Sequence, residues 1–133
     1  MTRFLLDTNI VSELVRNPGG RIADRIARAG EQNVCTSIIV SAELRYGAAK
    51  KGSRRLSAQL ETIFCGLEIL PLETPCDVIY GDLRARLERL GRPIGPNDLL
   101  IAAQALALGL TLVTDDEREF SYVADLSFEN WLL

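Results

Sequence analysis

Short apolar segments alternate with amphipathic segments along this chain, and this alternation is the feature that most limits its fold. Residues 4–6, 34–36, 68–72 and 111–114 have the composition of buried β-strands, and a further short strand is expected near 126–128. Between them, apolar residues recur at helical spacing. Strands that alternate with helices favour an α/β fold in which helices cover both faces of a mostly parallel sheet of four to five strands.

The first apolar segment ends in an acid. Asp7 follows Leu6 directly, and either Thr8 or Asn9 is expected to open the next helix, because both can cap free backbone N–H groups. In open α/β sheets, ligands bind outside the carboxyl ends of the strands. Asp7 is therefore the first candidate for a site residue, although a plain helix-capping role explains its position equally well.

Four further acids are expected at the same edge of the sheet. Glu43 lies in the helix after the second strand, Asp98 opens a very apolar helix, and Asp115 and Asp116 follow the fourth strand. Right-handed crossovers bring successive strand ends to one edge, so these regions should converge on Asp7. Taken alone, each acid also suits a solvated helix face, a first helical turn or an acidic loop.

A cluster of this kind calls for a cation. Carboxylates that lie close together repel one another, and their pKa values rise unless a positive charge neutralises them. The chain has no histidine, and its three cysteines are widely spaced, so zinc is not indicated. An all-oxygen donor set indicates Mg²⁺ or Mn²⁺, which can activate water against a phosphodiester.

Length and charge limit the remaining possibilities. The 133 residues suit a single domain spanning 1–133, and the net charge of −3 argues against a broad basic surface for duplex DNA. Neither a signal peptide nor a membrane-spanning stretch is apparent, and reduced thiols suit a cytoplasmic protein. These observations predict a cytoplasmic protein with an acidic site.

Four motifs carry a resemblance to a known family. They are Leu6-Asp7-Thr8-Asn9, Ser41-Ala42-Glu43-Leu44-Arg45-Tyr46-Gly47, the segment 94–103, and the segment 112–120 together with Glu129-Asn130-Trp131. In this order they resemble the PIN-domain ribonucleases, and most closely the VapC toxins of prokaryotic toxin–antitoxin operons. The resemblance covers essentially the whole chain and implies a PIN-like three-layer α/β/α sandwich.

The resemblance implies a metal-dependent endoribonuclease. Its three core acids fall on Asp7, Glu43 and Asp98, and by spacing the fourth falls on Asp116 rather than Asp115. The metal is expected to be Mg²⁺, with Mn²⁺ as the alternative. Thr8, Asn9 and Thr114 resemble groups that orient the carboxylates. The chain departs from the family pattern at Gln104, where relatives commonly have histidine, and Asn97 stands at a variable position; neither change is expected to affect the acids.

The resemblance also implies partners. VapC-like toxins act on RNA, usually form homodimers, and are inhibited by a VapB antitoxin whose C-terminal segment lies over the catalytic cleft; any contact with DNA is made through the antitoxin. Basic residues that could meet RNA or an acidic antitoxin segment are Arg45, Lys50, Lys51, Arg54, Arg55, Arg84, Arg86 and Arg89.

Three other functions can be weighed from the sequence. A receiver-like phosphoryl acceptor is disfavoured because a single acid follows the first strand and no lysine occurs after Lys51. A haloacid-dehalogenase-like phosphatase is disfavoured because Asn9 stands where a second aspartate is needed. A non-catalytic α/β binding module, with the acids serving as helix caps, is the remaining alternative.

Overall fold

A single sheet of five parallel strands forms the centre of the computed structural model. The strands are β1 (Phe4–Leu6), β2 (Val34–Ser37), β3 (Glu68–Leu70), β4 (Thr111–Val113) and β5 (Phe128–Glu129). Their order is β3-β2-β1-β4-β5, and every neighbouring pair is parallel. The structure describes residues 2–133; residue 1, where the predicted domain begins, lies outside the described residues. The predicted α/β class with four to five mostly parallel strands is confirmed.

Helices fill the connections between strands. They are α1 (Thr8–Arg16), α2 (Arg21–Ala29), α3 (Ile38–Lys51), α4 (Arg54–Gly66), α5 (Cys76–Arg89), α6 (Pro96–Leu108) and the short α7 (Glu117–Phe120). The path from β1 to β3 moves across the sheet in one direction, and the path from β3 to β4 moves back. Right-handed crossovers therefore place α1–α4 on one face and α5–α6 on the other. This gives the expected three layers.

The order in which strands are added to the sheet reverses between β1 and β4, and this topological switch point positions the site. The chain leaves β1 towards β2 on one side, while β4 pairs with the other side of β1. A crevice forms at such a switch point because the two flanking connections run to opposite faces. The carboxyl ends of β1 and β4 are Leu6 and Val113, which pair in register and are fully buried.

The helix α6 ties the two halves of the sheet together. It is apolar nearly all round, and Ile101, Ala102 and Ala105 have no solvent exposure. The fully buried Gln104 side chain donates from Nε2 to the carbonyl oxygens of Leu70 (3.4 Å) and Pro71 (3.0 Å). This departure from the family pattern therefore fixes α6 against the end of β3.

Several predicted boundaries are wrong by a few residues. The third strand ends at Leu70 rather than 72, because proline at position 71 has no N–H for the ladder. The buried helix begins at Pro96 rather than Asp98, since proline suits the first helical position. The last strand is Phe128–Glu129, shifted from the expected 126–128, because it pairs Phe128 with Leu112.

Among residues 2–133, no helix combines the length and the apolar content needed to cross a bilayer.

Candidate active site

Asp7 lies at the carboxyl end of β1 and caps α1. Its Oδ1 accepts a hydrogen bond from the Ile10 N–H at 3.2 Å, so the helix begins at Thr8 with Asp7, not Thr8 or Asn9, as the cap. The side chain is only 5% exposed. The predicted capping role is confirmed, and it leaves the carboxylate at the crevice between β1 and β4.

Burial raises the pKa of Asp7 to about 7, from an ordinary value of 3.8. Hydrogen bonds from the Thr114 hydroxyl and the Ile10 N–H lower this pKa, while the charges of Asp115 and Asp98 raise it further. Desolvation and like charges thus outweigh the hydrogen bonds. A nearby cation would stabilise the charged form of an acid in this environment.

Glu43 and Asp98 enter the same crevice from α3 and α6. The Ser37 side chain accepts from the Ile39 N–H at 3.1 Å and fixes the start of α3, which carries Glu43. The Thr8 hydroxyl donates to Glu43 Oε1 at 2.6 Å. Burial and then the charge of Glu43 raise the pKa of Asp98. Glu43 and Asp98 are therefore close enough to interact electrostatically, although 55 positions separate them in the sequence.

The two aspartates in the loop after β4 make different contacts. Asn9 donates from Nδ2 to Asp115 Oδ1 at 3.0 Å, which directs Asp115 towards α1. The Asp116 N–H donates to the Thr114 hydroxyl at 3.0 Å. The Asp116 side chain accepts from the backbone N–H of residue 119 at 3.2 Å, and its charge acts on Asp98. Asp115 thus faces Asp7, and Asp116 faces Asp98.

Glu119 is a member of this cluster that the sequence reasoning did not select as a site residue. Its pKa rises to about 7, first through burial and then through its hydrogen bond with Asp116 and the charge of Asp98. Its Oε1 also accepts from the Gly95 N–H at 3.3 Å, across the crevice. The signal for it was available, because an acid three residues after a capping aspartate falls on the same side of a helical turn.

The acids of this edge have no cationic partner within the described residues. The ion pairs of residues 2–133 involve other acids: Glu13, Glu61, Glu68, Glu88 and Glu129. Over the same residues, no three histidine, cysteine or acidic side chains are close enough to enclose an ion by themselves. Mg²⁺ usually keeps several waters and binds one or two carboxylates directly, so an open, all-oxygen set of this kind fits it.

Two cavities frame the region beside the acids. A groove of about 220 Å³ lies next to Glu43, with Leu44, Leu56 and Leu60 among its apolar walls and Lys51 at its margin. A second cavity, of about 290 Å³, is lined by Asp116 and Glu119 together with residues 91–94. A larger cavity, about 550 Å³, lies elsewhere, at the far end of α1, and contains none of the clustered acids.

Three of the eight predicted basic residues differ in their surroundings. Arg45 forms an ion pair with Glu61, and Arg84 Nε lies 3.1 Å from Glu88 Oε2, so these two arginines are already partnered. Lys51 lines the groove beside Glu43 and is placed to meet a ligand there. Position in the fold thus separates residues that the sequence treated alike.

Known proteins resemble this chain along nearly its whole length. The PIN domain family model matches residues 4–126. Ribonuclease VapC2 of Rickettsia felis is 38% identical over 130 residues, which are 96% of this chain and 97% of that protein. The tRNA(fMet)-specific endonuclease VapC of Shigella flexneri is 35% identical over 132 residues, covering 98% and 99% of the two chains.

The solved structures agree with these relatives. The crystal structure of VapBC2 from Rickettsia felis, bound to a DNA fragment from their promoter, matches with a TM-score of 0.91 at 35% identity, covering 98% of this chain and 99% of that chain. The resemblance expected from the four motifs is confirmed. The chain belongs to the PIN-domain family and, within it, to the VapC ribonucleases.

Proposed function

We propose that this protein is a Mg²⁺-dependent endoribonuclease and the toxin of a type II, VapBC-like toxin–antitoxin pair, working as a single domain over residues 1–133. The observation that carries the proposal is the convergence of acids from β1, α3, α6 and the loop after β4 on one edge of the sheet, with no Lys or Arg partner among the described residues. Five carboxylates without a cation suit a metal site better than a structural role.

Asp7, Glu43, Asp98 and Asp116 are the residues we propose to hold Mg²⁺, or Mn²⁺ in its place. When bound, such an ion lowers the pKa of a coordinated water and stabilises negative charge on phosphate oxygens. Hydrolysis adds the water oxygen to phosphorus, breaks one P–O bond of the RNA backbone and releases a ribose hydroxyl. Burial and neighbouring acids raise the pKa values of Asp7 and Asp98, and a bound cation would stabilise their charged forms.

Three polar side chains form hydrogen bonds with acids of the cluster. Thr8 holds Glu43 by a 2.6 Å hydrogen bond, and Thr114 hydrogen-bonds Asp7 while accepting from the Asp116 N–H. Asn9 holds Asp115 rather than one of the four proposed ligands. We therefore propose that Thr8 and Thr114 position ligands directly, and that Asn9 acts one residue away.

We also propose the partners that the family suggests. The apolar groove beside Glu43 suits the C-terminal segment of a VapB-type antitoxin, which would block RNA from the acids. Contact with DNA would pass through that antitoxin, as a neighbour solved with promoter DNA suggests. A homodimer in the cytoplasm is the expected form. Because one relative is a tRNA(fMet)-specific endonuclease, initiator tRNA is the first substrate to test.

The proposal is tested by incubating purified, antitoxin-free protein with initiator tRNA and with total RNA, in Mg²⁺, in Mn²⁺ and in EDTA. Discrete fragments that require metal and disappear with Asp7→Asn are the expected result, because the substitution keeps the helix cap but removes a ligand charge. Cleavage that persists in EDTA or in folded Asp7→Asn protein would overturn the proposal.

A second candidate is the non-catalytic α/β binding module. Asp7 and Asp116 both serve as helix caps, and this observation favours it. It predicts that Mg²⁺ neither binds nor changes stability, and that folded protein cleaves no RNA under any of these conditions. Membership of the VapC ribonucleases leaves the receiver-like phosphoryl acceptor without support.

A further inference from the structure

An arginine and a tyrosine form a stacked pair in the cavity beside Asp116 and Glu119, and neither residue is among the proposed metal ligands. The Arg92 Cζ atom lies 4.7 Å from the centre of the Tyr122 ring. Both residues line the 290 Å³ cavity that also includes Asp116, Arg118 and Glu119. The cavity therefore joins a cationic, aromatic outer wall to the acidic cluster.

The stacked pair is held by its surroundings. Arg92 donates its backbone N–H to the Leu87 carbonyl at 2.8 Å, directly after the left-handed Gly91 that ends α5. Tyr122 lies between Phe120 and Val123, whose side chains are 1% and 4% exposed. Tyr122 itself is 38% exposed. Anchored backbones with outward-facing side chains make a preformed binding surface, which reduces the entropy lost on binding.

The charges of the outer wall are free for a ligand. Neither Arg92 nor Arg118 belongs to an ion pair within residues 2–133. Arginine guanidinium groups bind phosphate, and both aromatic rings and guanidinium planes stack on unpaired RNA bases. The cavity is at the lower end of the ~300–1,000 Å³ range of ligand pockets, which suits one nucleotide rather than a folded RNA element.

We propose that this cavity binds one nucleotide of single-stranded RNA next to the cleaved phosphodiester, with the base stacked on the Arg92–Tyr122 pair and Arg118 contacting a neighbouring phosphate. The inference rests on the proposed ribonuclease function and assigns a subsite to it. RNA fits better than an acidic peptide, because a peptide of acidic side chains offers no flat base for the stacked pair.

Binding is measured first, in an Asp98→Asn background that does not cleave. The probe is a fluorescein-labelled, mixed-sequence single-stranded RNA of about 12 nucleotides, a length within the site sizes of single-strand binders. Fluorescence anisotropy should show about tenfold weaker binding for Tyr122→Ala, since one base stack contributes about that factor. Tyr122→Phe keeps the ring and should bind within about twofold of its parent.

Charge is tested separately. Arg118→Gln should reduce the slope of log K against log salt by about 0.7, the value for one phosphate contact on a single strand. Arg28→Gln is the matched control, because Arg28 is exposed in the last turn of α2, which leads to the opposite edge of the sheet. The control should leave the slope unchanged. Equal slopes for the two variants would overturn the phosphate contact.

The stacking partner is identified by cleavage of synthetic RNA with a single abasic ribose at successive positions around the cut. In the wild-type protein, one position should lower kcat/KM about tenfold, and in Tyr122→Ala this penalty should disappear. Arg92→Gln, an exposed substitution, repeats the test if Tyr122→Ala does not fold.

Two results would overturn the subsite. One is that Tyr122→Ala retains wild-type RNA affinity and every abasic penalty while the wild-type protein cleaves normally. The other is that Tyr122→Ala loses affinity for an acidic peptide but keeps its affinity for RNA. Failure of the proposed function looks different, because metal-dependent cleavage is then absent in the wild-type protein itself.

Discussion

The two edges of the central sheet treat their carboxylates in opposite ways. At the amino edge, Arg3 and Glu68 form an ion pair at 2.6 Å between residues that precede β1 and begin β3. At the carboxyl edge, Asp7, Asp98 and Glu119 have raised pKa values because burial and neighbouring acids act on them without a cation. The chain pairs a carboxylate at one edge with its own arginine, whereas the acids at the other edge have no Lys or Arg partner within residues 2–133.

The largest expected effect on stability comes from Asp7→Asn in metal-free protein. The pKa of Asp7 is about 7 when folded and 3.8 ordinarily, so the unfolded chain releases its proton first, and folding stability falls as pH rises from about 4 to about 7. Asparagine stays neutral and can still cap α1. At pH 8 in EDTA we expect the variant to be more stable by about 4 kcal/mol, with little difference near pH 4.

Urea unfolding at the two pH values measures this effect. The comparison of the two edges would fail if Asp7→Asn were less stable than the wild-type protein at pH 8, because Asp7 would then contribute to folding as Glu68 does.

A smaller effect is expected from Thr8→Val, which removes the 2.6 Å hydrogen bond to Glu43 without changing any charge. Loss of an orienting group at a metal site costs about 10–100-fold, so kcat/KM for RNA cleavage should fall by about tenfold. Thr62→Val is the matched control, because the Thr62 hydroxyl bonds only the Ala58 carbonyl on exposed α4. Similar activity in both variants would show that Glu43 needs no positioning.

The smallest effect is expected at the amino edge. Glu68→Gln breaks the pair with Arg3, but both side chains are well exposed, so the free energy of unfolding should change by less than about 1 kcal/mol. RNA cleavage should remain within about twofold of wild type. A large loss of activity here would mean that the two edges are coupled, and the contrast between them would have to be abandoned.

The fold and the acid cluster were accessible from the sequence for the same reason. Parallel strands of near-continuous apolar residues place Asp7, Glu43, Asp98 and Asp116 at one edge by topology alone, and the motifs around them identify the family. Glu119 was missed because its one sequence signal is its spacing from the capping Asp116, and a one-turn helix adds no periodic pattern to it. The Arg92–Tyr122 pair was missed because it joins two loops 30 positions apart, whose packing depends on tertiary contacts.

The most direct test of whether the acids at the carboxyl edge bind a metal ion is a Mg²⁺ titration of folding stability. Asp98→Asn and Glu68→Gln are the compared variants. An ion bound only by the native state stabilises it by RT ln(1 + [L]/Kd), about 2.7 kcal/mol at 100 times Kd. We predict this rise in the wild-type protein and in Glu68→Gln, and its loss in Asp98→Asn. Equal stabilisation of all three proteins, or none in the wild-type protein, would contradict the account.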